Sequence, residues 1–469
     1  MTQSHAMIIN GERVEAAGNF GVIDPARAEV FAECPAASPE HLDAAVAAAR
    51  AAFPAWRDTA IVERARLLNE IANAVEADKE ALAVLLSTEQ GKPRASAHGE
   101  IGAAIHWMRE TAKLTPPVEV IRDDEKVRIE VHRKPLGVVG SITPWNHPVL
   151  IATWHIMPAL MAGNCVVIKP SSYTPLSTLR LVELANAHLP RGVLNSVTGE
   201  GGIGRAITSH PGIDKIVFTG STPTGRNIMS NAANTLKRLT LELGGNDAAI
   251  VLPDADIDAI APVIFAKSFG NSGQTCAALK RLYVHESLHD ALAEKIAGLA
   301  RAAKVGPASD PASQFGPLQN KAQFDLVRAL ADDAKANGGR FLAGGEASGE
   351  IGYFFPLTVV TEVTDGMRIV DEEQFGPILP IVRYSDVDDA IARANASENG
   401  LGGSIWSTDI KKAEVLARRL ECGTAWVNDH SSISPAAPFG GAKQSGIGVE
   451  FGHWGLEEYM QMQTVHITR

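Results

Sequence analysis

A cysteine set among small and polar residues is the first candidate for chemistry. Cys276 closes the run Phe269-Gly270-Asn271-Ser272-Gly273-Gln274-Thr275-Cys276. Small side chains there allow close backbone approach and leave a thiol accessible. A nucleophilic thiol ionises below its free pKa of about 8.5 only in electropositive or hydrogen-bonding surroundings. Cys34, Cys165 and Cys422 lie in unremarkable contexts with no C-x-x-C spacing, and read as small buried hydrophobes. Upstream, Glu242 stands in Leu241-Glu242-Leu243-Gly244-Gly245. A carboxylate between leucines is costly to bury unless it is paired or working. Apolar surroundings raise its pKa toward that of a general base. Asn146, in Thr143-Pro144-Trp145-Asn146-His147-Pro148, could donate hydrogen bonds to a developing oxyanion; the same residues also suit a plain turn. His147 and His155 have no partner at fixed spacing and read as wall or packing residues.

The elements that must position these groups alternate. Helical patterns start at Ser38-Pro39 and run over Ile61 to Ala77 and Lys79 to Glu89. Short β-branched runs follow at Val138–Thr143, Cys165–Lys169, Val193–Val197 and Lys215–Thr219, separated by helices that begin at Thr174-Pro175 and Thr222-Pro223. Further strands are expected at Arg238–Leu243, Ala248–Leu252 and Arg281–His285. Apolar strands between helices indicate an α/β protein with a doubly wound parallel sheet. The uncharged stretch from Pro135 to Ile168 is broken by prolines, so it reads as a strand, a loop and a short helix, not a membrane span. Loops are expected around Pro307–Gln319 and Gly344–Gly352.

Two Gly-rich turns could cradle a phosphate. Gly199-Glu200-Gly201-Gly202-Ile203-Gly204 matches G-x-G-x-x-G, but no carboxylate follows about 20 residues on to hold a ribose. It reads as a tight strand-to-helix turn. Thr219-Gly220-Ser221-Thr222-Pro223-Thr224-Gly225 opens a helix whose N-terminus would favour a pyrophosphate. The alternating stretches Glu125–Arg133 and Tyr459–Thr468 look like orphan strands. Unpaired edges are liabilities, so both are expected to pair with another subunit of a homo-oligomer, a dimer or a dimer of dimers.

The net charge of −11 argues against nucleic-acid or anionic-membrane partners. The opening MTQSHAMIIN shows no charged region followed by an apolar one, so no secretory signal is expected. Four scattered cysteines supply no zinc site and no disulfide framework, which fits a reducing, cytoplasmic setting.

Taken together, Pro144-Trp145-Asn146, Val167-Ile168-Lys169-Pro170, Gly220-Ser221-Thr222-x-x-Gly225, Leu241-Glu242-Leu243-Gly244-Gly245, Gly273-Gln274-x-Cys276 and Glu373-Gln374-Phe375-Gly376-Pro377 occur in the order and spacing of the NAD(P)-dependent aldehyde dehydrogenase superfamily. The resemblance spans essentially the whole chain. It implies a Rossmann-like cofactor domain (1–114 and 136–243), an α/β catalytic domain (244–444) and oligomerisation strands (115–135 and 456–469). It implies Cys276 as nucleophile, the Asn146 amide with the Cys276 N–H as oxyanion donors, and Glu242 activating the hydrolytic water. NAD or NADP would be held by Trp145, Lys169, Ser172, Gly220, Ser221, Gly225, Glu373 and Phe375. Glu450 is similar to a second carboxylate that some members use in proton transfer. His147, Trp154, Phe269, Thr275, Ile433 and Phe439 match positions that line the substrate tunnel. No Arg or Lys falls among them, so the expected substrate is an uncharged aromatic or medium aliphatic aldehyde.

Three positions depart from the family pattern. His147 stands where an aromatic residue is frequent, His155 where lysine is, and Ser172 where many strictly NAD-dependent members have Glu. The last departure leaves NADP usable. Within this resemblance a coenzyme A-acylating enzyme is the near rival, and Glu242 speaks against it. A catalytically silent structural oligomer is the rival from another class.

Overall fold

The computed structural model describes residues 5–469 except 17, 348 and 350. The first four residues of the opening and two of the Gly344–Gly352 loop therefore lie outside it. The central part alternates strands and helices: β1 (Val138–Ile142), α1 (Pro148–Ala162), β2 (Cys165–Lys169), α2 (Leu176–Asn186), β3 (Leu194–Ser196), α3 (Gly201–Ser209), β4 (Lys215–Thr219), α4 (Thr222–Ala232) and β5 (Arg238–Glu242). These five strands are parallel, in the order β3-β2-β1-β4-β5, and Gly446–Ile447 adds an antiparallel edge beside β5. Strands covered on both faces need apolar side chains throughout, which is why β1, β2 and β4 read as continuous Val/Ile runs. One core joins this sheet to the preceding helices, from Leu42 and Leu68 to Val166 and Val217.

Two sequence expectations need correction here. The short helix is a 15-residue one that runs through Pro158. The proline costs about 3 kcal/mol, but α1 buries nearly every side chain, and at about 1.5–3 kcal/mol for each large apolar one that offsets it. The next helix begins at Leu176, with Pro175 as its N-cap.

A second sheet has seven strands, with β6 (Asp247–Val251) and β7 (Leu279–His285) paired in parallel near its middle. Cores cover both of its faces. A third, three-stranded sheet corrects the orphan-strand expectation. Met460–Thr468 pairs antiparallel with Val127–Pro135 of the same chain, from Met460 opposite Pro135 to Thr468 opposite Val127. Glu119–Asp123 forms its third strand, and Glu125 falls in the turn. What stays unpaired is the outer edge of each of the two outer strands, which expose Val120, Ile121, Met462 and Ile467. Among the described residues, no helix is long and apolar enough to cross a membrane.

Candidate active site

The C-terminal ends of parallel strands gather their following loops on one side of a sheet, where ligands of doubly wound folds bind. Here β1 leads into Pro144-Trp145-Asn146, β4 ends at Thr219, and β5 ends at Glu242 in register with it. The loop before β7 brings Cys276 to the same place. A cavity of about 260 Å³ is lined by Trp145, Asn146, Gly220, Ser221, Glu242, Cys276, Glu373 and Phe375, among others. The residues expected to do chemistry are thus collected in one cleft.

Glu242 is buried, and neither carboxylate oxygen has a hydrogen-bond partner among the described residues. Burial, reinforced by the charge of Glu450, pushes its pKa well above the usual carboxylate range. The Cys276 thiol is likewise pushed up, by burial first and by the Glu242 carboxylate second. Burial thus opposes the charged form of both groups, and the thiol needs a base to take its proton. Glu242 is the carboxylate that acts on it directly. Cys34 and Cys165 are buried, and burial raises each thiol to about 12, as it does for Cys422.

Asn146 donates one amide proton to Gln274 O at 3.0 Å, which leaves the second for an oxyanion. Its backbone oxygen accepts from Lys92 Nζ (2.9 Å) and Asn271 Nδ2 (3.1 Å). Asn271 and Ser272 both sit at positive φ, 53° and 56°, a strained arrangement for side-chain-bearing residues that often marks functional loops. Gly273, at φ +73°, packs so closely on the Gly376 carbonyl that a Cβ would lie 2.1 Å from it. Lys280 was not singled out in the sequence. It ties the cleft together, donating to Cys276 O (2.5 Å), Gly245 O (3.1 Å) and Glu373 Oε1 (2.6 Å).

Several groups suit a dinucleotide. Trp145 and Phe375 meet edge-to-face at 5.3 Å. Ser221 is the N-cap of α4, its side chain bonded to Thr224 Oγ1 and not to the helix backbone. Lys169 is buried, which lowers its pKa to about 8, and its ammonium donates only to Pro170 O among the described residues. Protons left over on a buried ammonium fit ribose hydroxyls. The turn set aside as a mere strand-to-helix connection does make that connection, with Glu200 as N-cap of α3. It also borders Lys169, whose Cδ would be 3.8 Å from a Cβ on Gly204. Glu200 and Ser172 line one cleft of about 550 Å³ with Asn320 and Lys321. Gly225 packs on Leu243, where a Cβ would be 2.6 Å away, so it sets how closely α4 approaches the strand end.

Around Cys276 lies an apolar cluster of Trp107, Ile151, Trp154, Trp426, Phe439 and Phe451, with Ile433 packed against it. Phe269 does not belong there. It is fully buried in the core of the second sheet, against Phe265. As the last residue of the helix Ile257–Phe269 it turns inward with that helix's apolar side, a direction that the linear spacing to Cys276 does not reveal. Thr275 and His147 face each other at 3.3 Å, and behind His147 lies a buried Lys92–Glu100 ion pair. Lys92 was hidden from sequence reading because Gly91 and Pro93 mark it as a helix stop. Glu450 is buried, with His155 Nε2 at 3.4 Å from its Oε1. His155 also meets Ser141 Oγ (2.9 Å) and Thr219 Oγ1 (3.1 Å).

Comparison with known proteins covers the same length. A model of the aldehyde dehydrogenase family matches residues 13–465. The chain is 39% identical to 3-sulfolactaldehyde dehydrogenase of Pseudomonas putida over 95% of this chain and 93% of that protein. It is also 39% identical to retinal dehydrogenase 2 of Mus musculus, over 98% and 91% of the two chains. The structure of an aldehyde dehydrogenase from Bacillus cereus in complex with NAD+ superposes at a TM-score of 0.96, with 38% identity, covering 99% of this chain and 97% of that one.

Proposed function

Because this chain belongs to the aldehyde dehydrogenase family and is an NAD(P)-dependent oxidoreductase, we propose that it oxidises an uncharged aromatic or medium aliphatic aldehyde to the free carboxylic acid. The observation that carries this reading is the meeting of Cys276, Glu242 and Asn146 in one cavity. Glu242 takes the thiol proton, and Cys276 Sγ attacks the aldehyde carbon to give a thiohemiacetal. The free Asn146 amide proton and the Cys276 N–H hold the developing oxyanion. A bound NAD(P) would supply the acceptor for the hydride that leaves the thiohemiacetal carbon. Trp145, Lys169, Ser221, Glu373 and Phe375 would hold that cofactor, with Ser172 and Gly220 along its path. The thioester left on Cys276 is hydrolysed by water that Glu242 deprotonates, which favours a free acid over transfer to coenzyme A. Glu450, whose charge acts on Glu242, passes the proton onward.

The relatives named for retinal and for 3-sulfolactaldehyde stand at equal identity, so kinship does not choose the substrate. What supports an uncharged aldehyde is the set of aromatic and aliphatic side chains around Cys276, with Lys92 behind them paired to Glu100. The four cysteines are free, which fits a cytoplasmic protein. The exposed apolar side chains on the outer strands of the third sheet fit a homo-oligomer. Deleting the last ten residues should give monomers or aggregates on sedimentation, and a native-sized particle would remove that assignment. The test of the reaction is a panel of aldehydes, followed by absorbance of the reduced cofactor and by titration of the acid formed. An acyl-coenzyme A product, or no oxidation at all, would overturn it.

A further inference from the structure

One polar side chain on the tunnel wall has no part in the oxidation as proposed. His147 is the N-cap of α1, and the spacing 147, 150, 151, 154 puts it on the helix face that carries Leu150, Ile151 and Trp154 to the cluster around Cys276. Its Nε2 lies 3.3 Å from Thr275 Oγ1, one residue before the nucleophile. Its Nδ1 lies 3.3 Å from both Lys92 Nζ and Glu100 Oε2.

Counting protons decides the tautomer. Lys92 is buried and has three N–H donors. Three acceptors surround it: Glu100 Oε2, Asn146 O and His147 Nδ1. Glu100 Oε1 is already occupied by the backbone N–H groups of Val149 and Leu150, at 3.0 and 3.3 Å. A proton on Nδ1 would confront the ammonium and leave one Lys92 N–H buried without an acceptor. The lone pair therefore sits at Nδ1 and the proton at Nε2. Burial and the nearby Lys92 charge hold the imidazole below its ordinary pKa, so the ring is neutral. A second observation points the same way. The indole N–H groups of Trp107 and Trp154, in the same cluster, are buried and find no acceptor among the described residues. The cluster thus holds two further donors that await an acceptor.

We infer that His147 selects aldehydes bearing an oxygen substituent, a hydroxyl or alkoxy group, within two carbons of the carbonyl, with Nε2–H donating to that oxygen. The inference rests on the reading of Cys276 as the nucleophile. The hydrocarbon remainder of such a substrate packs on Trp154, Trp426 and Phe439. A lysine-backed but charge-neutral donor suits an oxygen that carries no formal charge.

The experiment compares kcat/KM for matched pairs: lactaldehyde against propanal, and 2-hydroxy-3-phenylpropanal against 3-phenylpropanal. Wild type should favour the oxygenated member of each pair by about tenfold, the scale of one hydrogen bond to a charge-neutral donor. His147→Phe should erase that ratio, and His147→Gln, which keeps a donor, should retain most of it. Oxidation with no preference between members, or a preference that His147→Phe leaves intact, overturns the inference alone. Failure of wild type to oxidise any of the four overturns the nucleophile reading and this inference with it.

Discussion

Glu242 and Glu100 are the same residue type and both buried, and their pKa values move in opposite directions. Burial alone would raise both. At Glu100 the Lys92 ammonium overrides it and brings the pKa down to about 2, beside two backbone N–H groups that donate to Oε1. At Glu242 no backbone or ammonium donor bonds to either oxygen among the described residues; only the Cys276 thiol and the charge of Lys280 act against burial, and Glu450 adds repulsion. The difference teaches what separates a structural carboxylate from a reactive one. A buried carboxylate surrounded by donors is locked as an anion, and one left without them keeps its affinity for a proton, which is what a general base must have.

The contrast can be broken most severely at the group that Glu242 serves. Cys276→Ser should cost more than about a thousandfold in turnover, as for other unit-acting nucleophiles, with cofactor binding retained by fluorescence titration. Activity within tenfold of wild type would dismiss the assignment. Glu242→Gln comes next, with steady-state turnover down by about 10²–10⁴-fold, the range of general base catalysis. If Glu242 chiefly activates water, stopped-flow traces should show a burst of reduced cofactor before the slow phase. Unchanged steady-state turnover in that variant would count against the base role.

The next effects are on stability, and their signs should differ. Lys92→Met leaves Glu100 buried and unpaired, at about 3–5 kcal/mol, read as a lower Tm. Because the folded pKa of Glu100 lies below the unfolded value of about 4.3, its stabilisation is complete above that value. It is lost as pH falls toward about 2. The folded pKa of Glu242 is raised, so its contribution holds below about 4.3 and is lost as pH rises. Glu242→Gln should accordingly be more stable than wild type at neutral pH, by about 1 kcal/mol, while Glu100→Gln is less stable. Thermal melts of both variants across pH would show the two signs, and a common sign would void the comparison. The smallest effect concerns the cofactor. Ser172→Glu should depress kcat/KM for NADP by about tenfold or more with little change for NAD, since a carboxylate repels a 2′-phosphate. Equal use of NADP by the variant would show that Ser172 does not face that phosphate.

Cys276, Glu242 and Asn146, which the structure brings to one cavity, stand out locally in the sequence: a thiol among small residues, a carboxylate between leucines, an amide in an uncharged loop. The parallel strands were legible from their unbroken apolar runs, as at Lys215–Thr219, where expected and observed limits coincide. Lys92, Glu100 and Lys280 were not, because their meaning lies in partners 8 to 93 positions away. Phe269 was misplaced for the same reason, since the direction of its side chain is set by a helix packing that no linear spacing reports. The third sheet was half legible. Alternation announced its strands, but which of them pair is a matter of register across 325 residues or more, from Met460 opposite Pro135 onward.

The contact of Gly273 with the Gly376 carbonyl recurs at Gly244, where a Cβ would stand 2.2 Å from Glu373 Oε2. These two positions have no room for even a methyl group, so any side chain there must displace either a backbone or the carboxylate held by Lys280. Such a centre offers almost no viable single-residue variants. Positions 147, 150, 151 and 154, by contrast, lie on one face of α1 and meet their surroundings through side chains, beside the apolar cluster around Cys276. Diversification of this scaffold toward new aldehydes therefore has one inexpensive route, through α1, and laboratory evolution should accumulate its accepted changes there while the glycines stay fixed.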